Sequence, residues 1–359
     1  MAGMSLVDIQ TAMVYNGHGA DLLRQATVVN GKIMENHGLN LGGEGTPWRG
    51  MQMNKWVELW ERPAAGEVCA IAGWHQWADA GSVSSGLPRY LVNHTGARKI
   101  GRIRPRGFYL FQIPGTHHLL RPEVKLADGH RQEMRTPRNE FFYTGAGRKG
   151  LVIFLGEEPH MNEARYAAAF FDAMQELGVS RVVALGGVYG EMPYDKDREV
   201  SCIYSLPHMK EELAKYAVRF SNYEGGTTIG AYLAHKAEPR GVEFVVFNAF
   251  VPAYNFSEAP TSVQGLRVEH DFRAWFDLMK RLNHMFDLGL DLSDLERQGE
   301  ELTASMDAKI AELRRQMPEL RIDEYLAKVG KSFTERPFIP LDAGLEEELR
   351  DLLDELEDG

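Results

Sequence analysis

Two groups of residues have types and spacings that could do chemistry. The first is Gly226-Thr227-Thr228-Ile229-Gly230, which has the outline of a glycine–x–nucleophile–x–glycine elbow with Thr228 in the nucleophile's place. Such an elbow needs a buried strand directly before it and a histidine and an acid elsewhere. Residues 219–224 do not read as a buried strand, so the pattern reads instead as a turn and helix start, with Thr227 or Thr228 as the cap. The same stretch, Tyr223-Glu224-Gly225-Gly226-Thr227, also suits an anion, because backbone N–H groups are free at a helix start and glycine permits close approach. The second group follows apolar runs. Trp74, His75, Trp77, Asp79 and Gly81 come after the run at 68–72, and Gly186-Gly187 after the run at 182–185. Ligands of open α/β sheets collect at the carboxyl ends of strands. If these strands are neighbours, they form a cleft with a glycine floor, aromatic walls and one carboxylate. The candidate ligand-binding residues are therefore Trp74, Asp79, Gly81, Gly186, Gly187, Tyr223, Glu224, Gly225 and Thr227. No catalytic residue, cofactor or metal ligand is assigned. His117 and His118 would point to opposite sides of an extended chain, and no zinc, metalloprotease or phosphate-loop spacing occurs.

The elements that must position these residues are legible around the stretch 150–252. The apolar run 151–155 (Leu-Val-Ile-Phe-Leu) is followed by a helical pattern, Tyr166, Phe170, Met174 and Leu177, that stops at Gly178. The run 182–185 (Val-Val-Ala-Leu) comes next. Short runs without polar alternation suit strands buried on both faces, and a helix between them suits a parallel crossover. Residues 56–60 alternate like an edge strand, 68–72 form a first buried strand, and 82–94 read as a helix capped by Asp79 or Ser82. Strands are expected at 99–103 and 108–113. Asp128-Gly129 predicts a two-residue hairpin turn, which would make the sheet mixed. Further strands are expected at 200–204 and 244–247, with helices near 210–216 and from Ile229 to Ala237. After residue 262 only helical stripes remain: Phe272 to Phe286, Leu292 to Met317, and an acidic one with leucines at 345, 349, 352, 353 and 356. The domain reading is an N-terminal arm over 1–55, with its glycine cluster at 42–45, an α/β domain over 56–260 and a C-terminal helical domain over 261–359.

Composition bounds the function. The 359-residue chain is 44% apolar and 25% charged, ordinary for a soluble globular protein. Its net charge of −11 argues against a nucleic-acid backbone binder, which needs clustered lysine and arginine. Cys69 and Cys202 are far apart and in no metal or redox spacing, which favours a reducing cytoplasm. No run approaches the ~20 apolar residues of a membrane helix, and no signal segment is read.

Several stretches together resemble the proteasome-assembly-chaperone family, in its bacterial and archaeal branch. They are Gly73-Trp74 with Asp79-Ala80-Gly81, the strand-and-hairpin region 108–142, and 151–159. Further stretches are 182–193, Tyr223-Glu224-Gly225 with Gly230, Val251-Pro252, and Met317-Pro318-Glu319-Leu320 in the helical tail. The resemblance covers roughly residues 55 to 335. It implies a phosphorylase/hydrolase-like α/β sandwich, a mixed sheet between helices followed by a small helical domain, and self-association. It offers no catalytic residues. Its recurrent loops map to Trp74, Asp79, Gly81, Tyr223, Glu224 and Gly225. The proline common after the Tyr-Glu-Gly triplet is Gly226 here. Glu357-Asp358-Gly359 stands where some archaeal chaperones carry a hydrophobic–tyrosine–x docking tail.

Two function classes follow. One is a chaperone-like or scaffold protein acting through self-association and partner protein complexes, with no nucleic acid or membrane partner. The other is an enzyme or sensor holding a small anion, a nucleotide or carboxylate in a ligase-like site, in the cleft. Homo-oligomerisation is expected because the helical stripes after residue 262 exceed what one α/β unit needs to cover.

Overall fold

The computed structural model describes residues 55–112, 121–146, 148–255 and 266–340. The glycine cluster at 42–45, His117 and His118, and the acidic leucine stripe from 345 lie outside the described residues.

The strands are β1 (Val57–Leu59), β2 (Glu67–His75), β3 (Arg98–Ile103), β4 (Glu123–Ala127), β5 (His130–Arg135), β6 (Glu140–Ala146), β7 (Lys149–Glu157), β8 (Val179–Gly190), β9 (Val200–Tyr204), β10 (Arg219–Phe220), β11 (Glu243–Tyr254) and β12 (Leu266–Arg267). The α-helices are α1 (Gly86–Thr95), α2 (Glu163–Glu176), α3 (Met209–Ala214), α4 (Ile229–Ala237), α5 (Phe272–Phe286), α6 (Ser293–Gln316) and α7 (Ile322–Ser332). The main sheet runs β1-β3-β6-β7-β2-β8-β11-β9-β10, with β12 on β11. Its centre, β7-β2-β8-β11, is parallel, and β1, β3, β6 and β9 pair antiparallel. The crossover through α2 therefore steps over β2, which lies between β7 and β8.

The apolar runs are continuous because each face has its own core. On one face Ala70, Ala72, Val152, Phe154, Val182, Ala184, Phe244 and Val246 pack with Tyr166, Phe170 and Met174 of α2 and Leu233 of α4. On the other, Ile71, Leu151, Ile153, Val183, Leu185, Val245 and Phe247 pack with α1, α3, α5 and α6. The protein is thus a mixed sheet flanked by helices, with further helices at the C-terminal end, as the sequence predicts.

Several expectations change. Residues 266–267 form the short strand β12 on β11 where only helices are expected, and the helix expected at 82–94 spans Gly86–Thr95, behind a 3-10 turn at Ala80–Ser82. The strand expected at 108–113 is not formed at 108–112; Phe108 closes a turn by donating its N–H to Pro105 O at 3.1 Å, and its ring packs on Trp56 and Tyr166. The Asp128-Gly129 hairpin exists, as β4 and β5, but forms its own two-stranded sheet outside the main one. The mixed character comes from other strands. Finally, the apolar stripes of α5 and α6 are not surplus: Leu278, Met279, Leu282 and Leu295 are fully buried in the core they share with the sheet.

A buried charge network ties α5 to the β8–β9 connection. Arg198 is 1% exposed and its Nε donates to Asp271 Oδ2 at 2.8 Å. Its Nη1 reaches the carbonyls of Tyr194 and Lys196, and its backbone N–H donates to Asp277 Oδ2. Asp271 also caps α5, accepting from Ala274 N at 3.0 Å. Lys280 pairs with Asp277 and Asp197, and Arg273 with Asp197. Removing one partner of a buried pair leaves a charge without compensation. Arg198→Met should therefore cost about 3–5 kcal/mol in urea unfolding. Adding Asp271→Asn, which keeps a cap oxygen but removes the stranded charge, should recover part of that loss. A single-variant cost below about 1 kcal/mol, the level of an exposed pair, would refute the role assigned to Arg198.

Candidate functional site

β2 and β8 end side by side, where the cleft was expected. After His75 the backbone turns sharply, with Gln76 at φ 117°, and residues 78–85 cross over the ends of both strands. Gly187 N donates to Ala78 O at 2.9 Å, and Asp79 forms an isolated parallel bridge with Gly187. A Cβ on Gly187 would fall inside the van der Waals shell of Ala80 O. Ser84 Oγ donates to Leu185 O at 2.6 Å and accepts from Trp74 N at 2.8 Å. The glycine floor thus admits the chain's own backbone. Gly186 similarly lies against the Asn248 side chain.

Neither Asp79 nor Ser82 is the N-cap of α1, which is Ser85; Asp79 braces the turn before it. Its Oδ1 accepts from Ser84 N at 2.9 Å and Ser85 N at 2.8 Å, satisfying free donors ahead of α1. Gly81, at φ 61°, turns its carbonyl to Asp271 N (2.9 Å) and Trp275 Nε1 (3.1 Å). A Cβ there would sit 2.7 Å from Asp271 Cβ, so Gly81 is where α5 docks. Trp74 is 3% exposed; its indole donates to Tyr166 OH at 2.8 Å and its ring packs on Phe154 and Phe170. It is part of the core more than a wall.

The second loop meets the first through a residue the sequence reading missed. Glu158 Oε1 accepts from Ile229 N at 3.0 Å, and Oε2 from Trp77 N at 3.2 Å. Thr228 Oγ1 accepts from Ala231 N at 3.1 Å. The α4 N-terminus, where an external anion was considered, thus already holds a carboxylate and a hydroxyl. Burial raises the Glu158 carboxyl above its usual range, against the two N–H bonds. Its signal in the sequence was an acid at the carboxyl end of a buried strand, in Gly156-Glu157-Glu158-Pro159. Trp74, Asp79, Gly186 and Gly187 are brought together. Tyr223 is 73% exposed, and Glu224, Gly225 and Thr227 are also exposed, with the Tyr223 hydroxyl resting over Gly225. Between Trp74, Ser84, Glu158, Gly186, Thr228 and Asn248 remains a cavity of about 20 Å³. That is room for one water.

Polar groups continue outward from this point. Tyr166 OH donates to Asn139 Oδ1 at 2.9 Å, and Tyr109 OH to Glu157 O at 2.8 Å. His75 Nδ1 lies 2.9 Å from Glu157 Oε2, and that carboxylate raises the histidine's pKa. Among the described residues no group of three or more histidine, cysteine, aspartate or glutamate side chains could hold a metal ion.

Two outcomes are expected from this geometry. Gly187→Ala should destabilise by about 1–3 kcal/mol, because backbone must move to admit the methyl; an unchanged urea midpoint would refute the close crossing. Burial also holds the Asp79 carboxyl above its usual range, outweighing the Ser84 and Ser85 bonds and the nearby His75. The folded value being the higher one, this group's contribution is complete below the ordinary aspartate range and is lost as pH rises through the raised value. Asp79→Asn keeps the Oδ1 acceptor and removes the titration. Its stability should therefore gain on the wild type between about pH 4 and pH 7. Urea melts across that window would refute this if the difference stays constant.

Comparison with known proteins agrees with the architecture. The model of the PAC2 family matches residues 73–310. Among solved structures, a PAC2 family protein from Streptomyces avermitilis is 23% identical over 72% of this chain and 99% of its own, with a TM-score of 0.58. A proteasome-assembly chaperone homologue from Mycobacterium tuberculosis is 23% identical over 68% of this chain and 96% of its own, with a TM-score of 0.58. An archaeal proteasome activator from Pyrococcus furiosus is 16% identical over 71% of this chain and 98% of its own, with a TM-score of 0.50. At these identities the likenesses are of fold. No curated protein matches the chain. The family model, however, spans about two thirds of the sequence and contains both loops that meet at Glu158, and on that match the chain belongs to the PAC2 family.

Proposed function

We propose that the protein is a chaperone-like or scaffold protein that works by self-association and by binding another protein complex. The observation that carries this reading is the use made of the strand-end crevice. Residues 78–85 and Glu158 occupy the backbone donors and the space a small ligand would need, leaving about 20 Å³. Fold relatives named a proteasome-assembly chaperone homologue and a proteasome activator support a protein complex as the partner. A fold alone would be a weak guide to activity, so the filled crevice carries more weight than the likeness. The second class, an anion-binding enzyme or sensor, would require Glu158 to leave Ile229 N, and no contact described favours that. No helix among the described residues is long and apolar enough to cross a membrane. Cys69 and Cys202 are free thiols, which supports the cytoplasm as the compartment.

Sedimentation velocity at micromolar concentration should show a species heavier than the 40.5 kDa monomer. Added proteasome α- and β-type subunits should co-sediment with it or assemble faster in its presence. A monomer that does neither overturns the proposal. A panel of phosphates, nucleotides and carboxylates should leave Tm unchanged, since only a ligand of the folded state raises it. A rise that is abolished by bulkier residues at Gly225 and Gly226 would move the function to the anion-binding class.

A further inference from the structure

The β4–β5 hairpin stands apart from both cores. Asp128 and Gly129 take φ 48° and 76°, the geometry a tight two-residue turn requires. Pairing sets Val124 opposite Met134, Glu123 opposite Arg135 and Lys125 opposite Glu133. One face of the hairpin therefore carries Val124, Leu126 and Met134 together with Arg131, and the other alternates acids and bases. Every residue of both strands is exposed, Val124 by 50% and Leu126 by 57%, and neither strand joins either core. A lone two-stranded hairpin is at best marginally stable in water, and among the described residues no further strand pairs with either of its edges. Among the described residues nothing covers it, and a partner strand would.

The charge pattern says which. The chain carries −11 overall, yet between 123 and 135 Glu123, Asp128 and Glu133 balance Lys125, Arg131 and Arg135. The pattern is also self-complementary. An antiparallel pairing of two β4 strands about a two-fold axis through Val124 sets Glu123 opposite Lys125 and Lys125 opposite Glu123, with valine on valine between them. Opposite charges facing across strands are favourable and like charges are not. The choice of β4 over β5 follows from the register. The pairing shifts between Lys125 and Leu126, leaving Gln132 as an extra residue on β5. Such a bulge bends and twists its strand, and edges of that kind resist further pairing. β4 is the edge without a bulge, and the pairing is confined to residues around Val124, because Pro122, which would face Leu126, has no N–H to donate.

We infer that self-association runs through β4–β4 pairing, joining two hairpins into a four-stranded sheet with Val124 at the two-fold axis. This rests on the self-association reading above and adds its surface and register. Facing residues in an antiparallel pair have Cα atoms about 4.5–5.5 Å apart, within disulfide reach. Oxidation of the full chain carrying Val124→Cys should therefore give a disulfide-linked dimer on a non-reducing gel. The Leu126→Cys control should not, because two such positions would be four residues apart along the strands, roughly 14 Å. Val124→Asp should weaken association at least tenfold in sedimentation, with Tm little changed because Val124 touches neither core. If the wild type is oligomeric but Val124→Cys does not cross-link and Val124→Asp keeps its mass, this inference is overturned while self-association stands. If the wild type is monomeric at every concentration, the self-association reading fails and the inference fails with it.

Discussion

The closeness of residues 78–81 to the end of β8 is the constraint on which the rest of the molecule depends. Ala80 O occupies the volume that a side chain at position 187 would need, so the crossing exists only because that residue is glycine. From it follow the bridge of Asp79 to Gly187, the Ser84 link to Leu185 O and the bonds of Asp79 to the turn before α1. The carbonyl of Gly81, presented by the same turn, fixes the start of α5 through Asp271 and Trp275. A change at one strand end would therefore reach the helices on the far side of the core.

A second anchor holds those helices. Arg198, Asp271, Asp277 and Lys280 form a buried, charge-compensated set between the β8–β9 connection and α5. Arg281, 2% exposed, adds bonds to the carbonyls of Tyr216 and Asp277 and lies 5.3 Å over the Phe338 ring. Buried ion pairs are poor sources of net stability, since desolvating the charges offsets much of their attraction. Their geometric demand is strict, however. Apolar stripes such as those of α5 and α6 can pack at several angles, whereas Arg198 accepts one placement of Asp271. The network therefore specifies where the helices sit, while the apolar burial makes them stay.

The same economy explains why the crevice at the strand ends offers little to a small ligand. Free N–H groups at a helix start favour an anion of any origin. Here the carboxyl comes from Glu158, the residue just after β7, and it joins the loop after β2 to the loop before α4. Both loops belong to the region matched by the PAC2 family model. Their shared carboxylate makes them one structural unit that leaves Trp77 and Tyr223 exposed, 43% and 73%.

The amino-acid sequence was sufficient for the buried strands at 68–72, 151–155, 182–185 and 244–247, for the Asp128-Gly129 turn and for the start of α4. Each is a local matter: a run buried on both faces loses its polar alternation, a left-handed turn selects its residues, and a helix end needs an oxygen. The sequence also brought Trp74, Asp79 and Gly186-Gly187 to notice, since glycines after a buried strand mark a close approach. What approaches was decided only in three dimensions. A glycine admits a ligand and a neighbouring backbone alike, and the segment from 78 to 81 reaches Gly187 only because β2 is inserted between β7 and β8. Glu158 escaped notice for the same reason, because its partners at Trp77 and Ile229 lie roughly 80 and 70 residues away. The separateness of the β4–β5 hairpin is likewise tertiary: its residues dictate that two strands pair, and nothing in a local pattern says whether a third strand lies beside them.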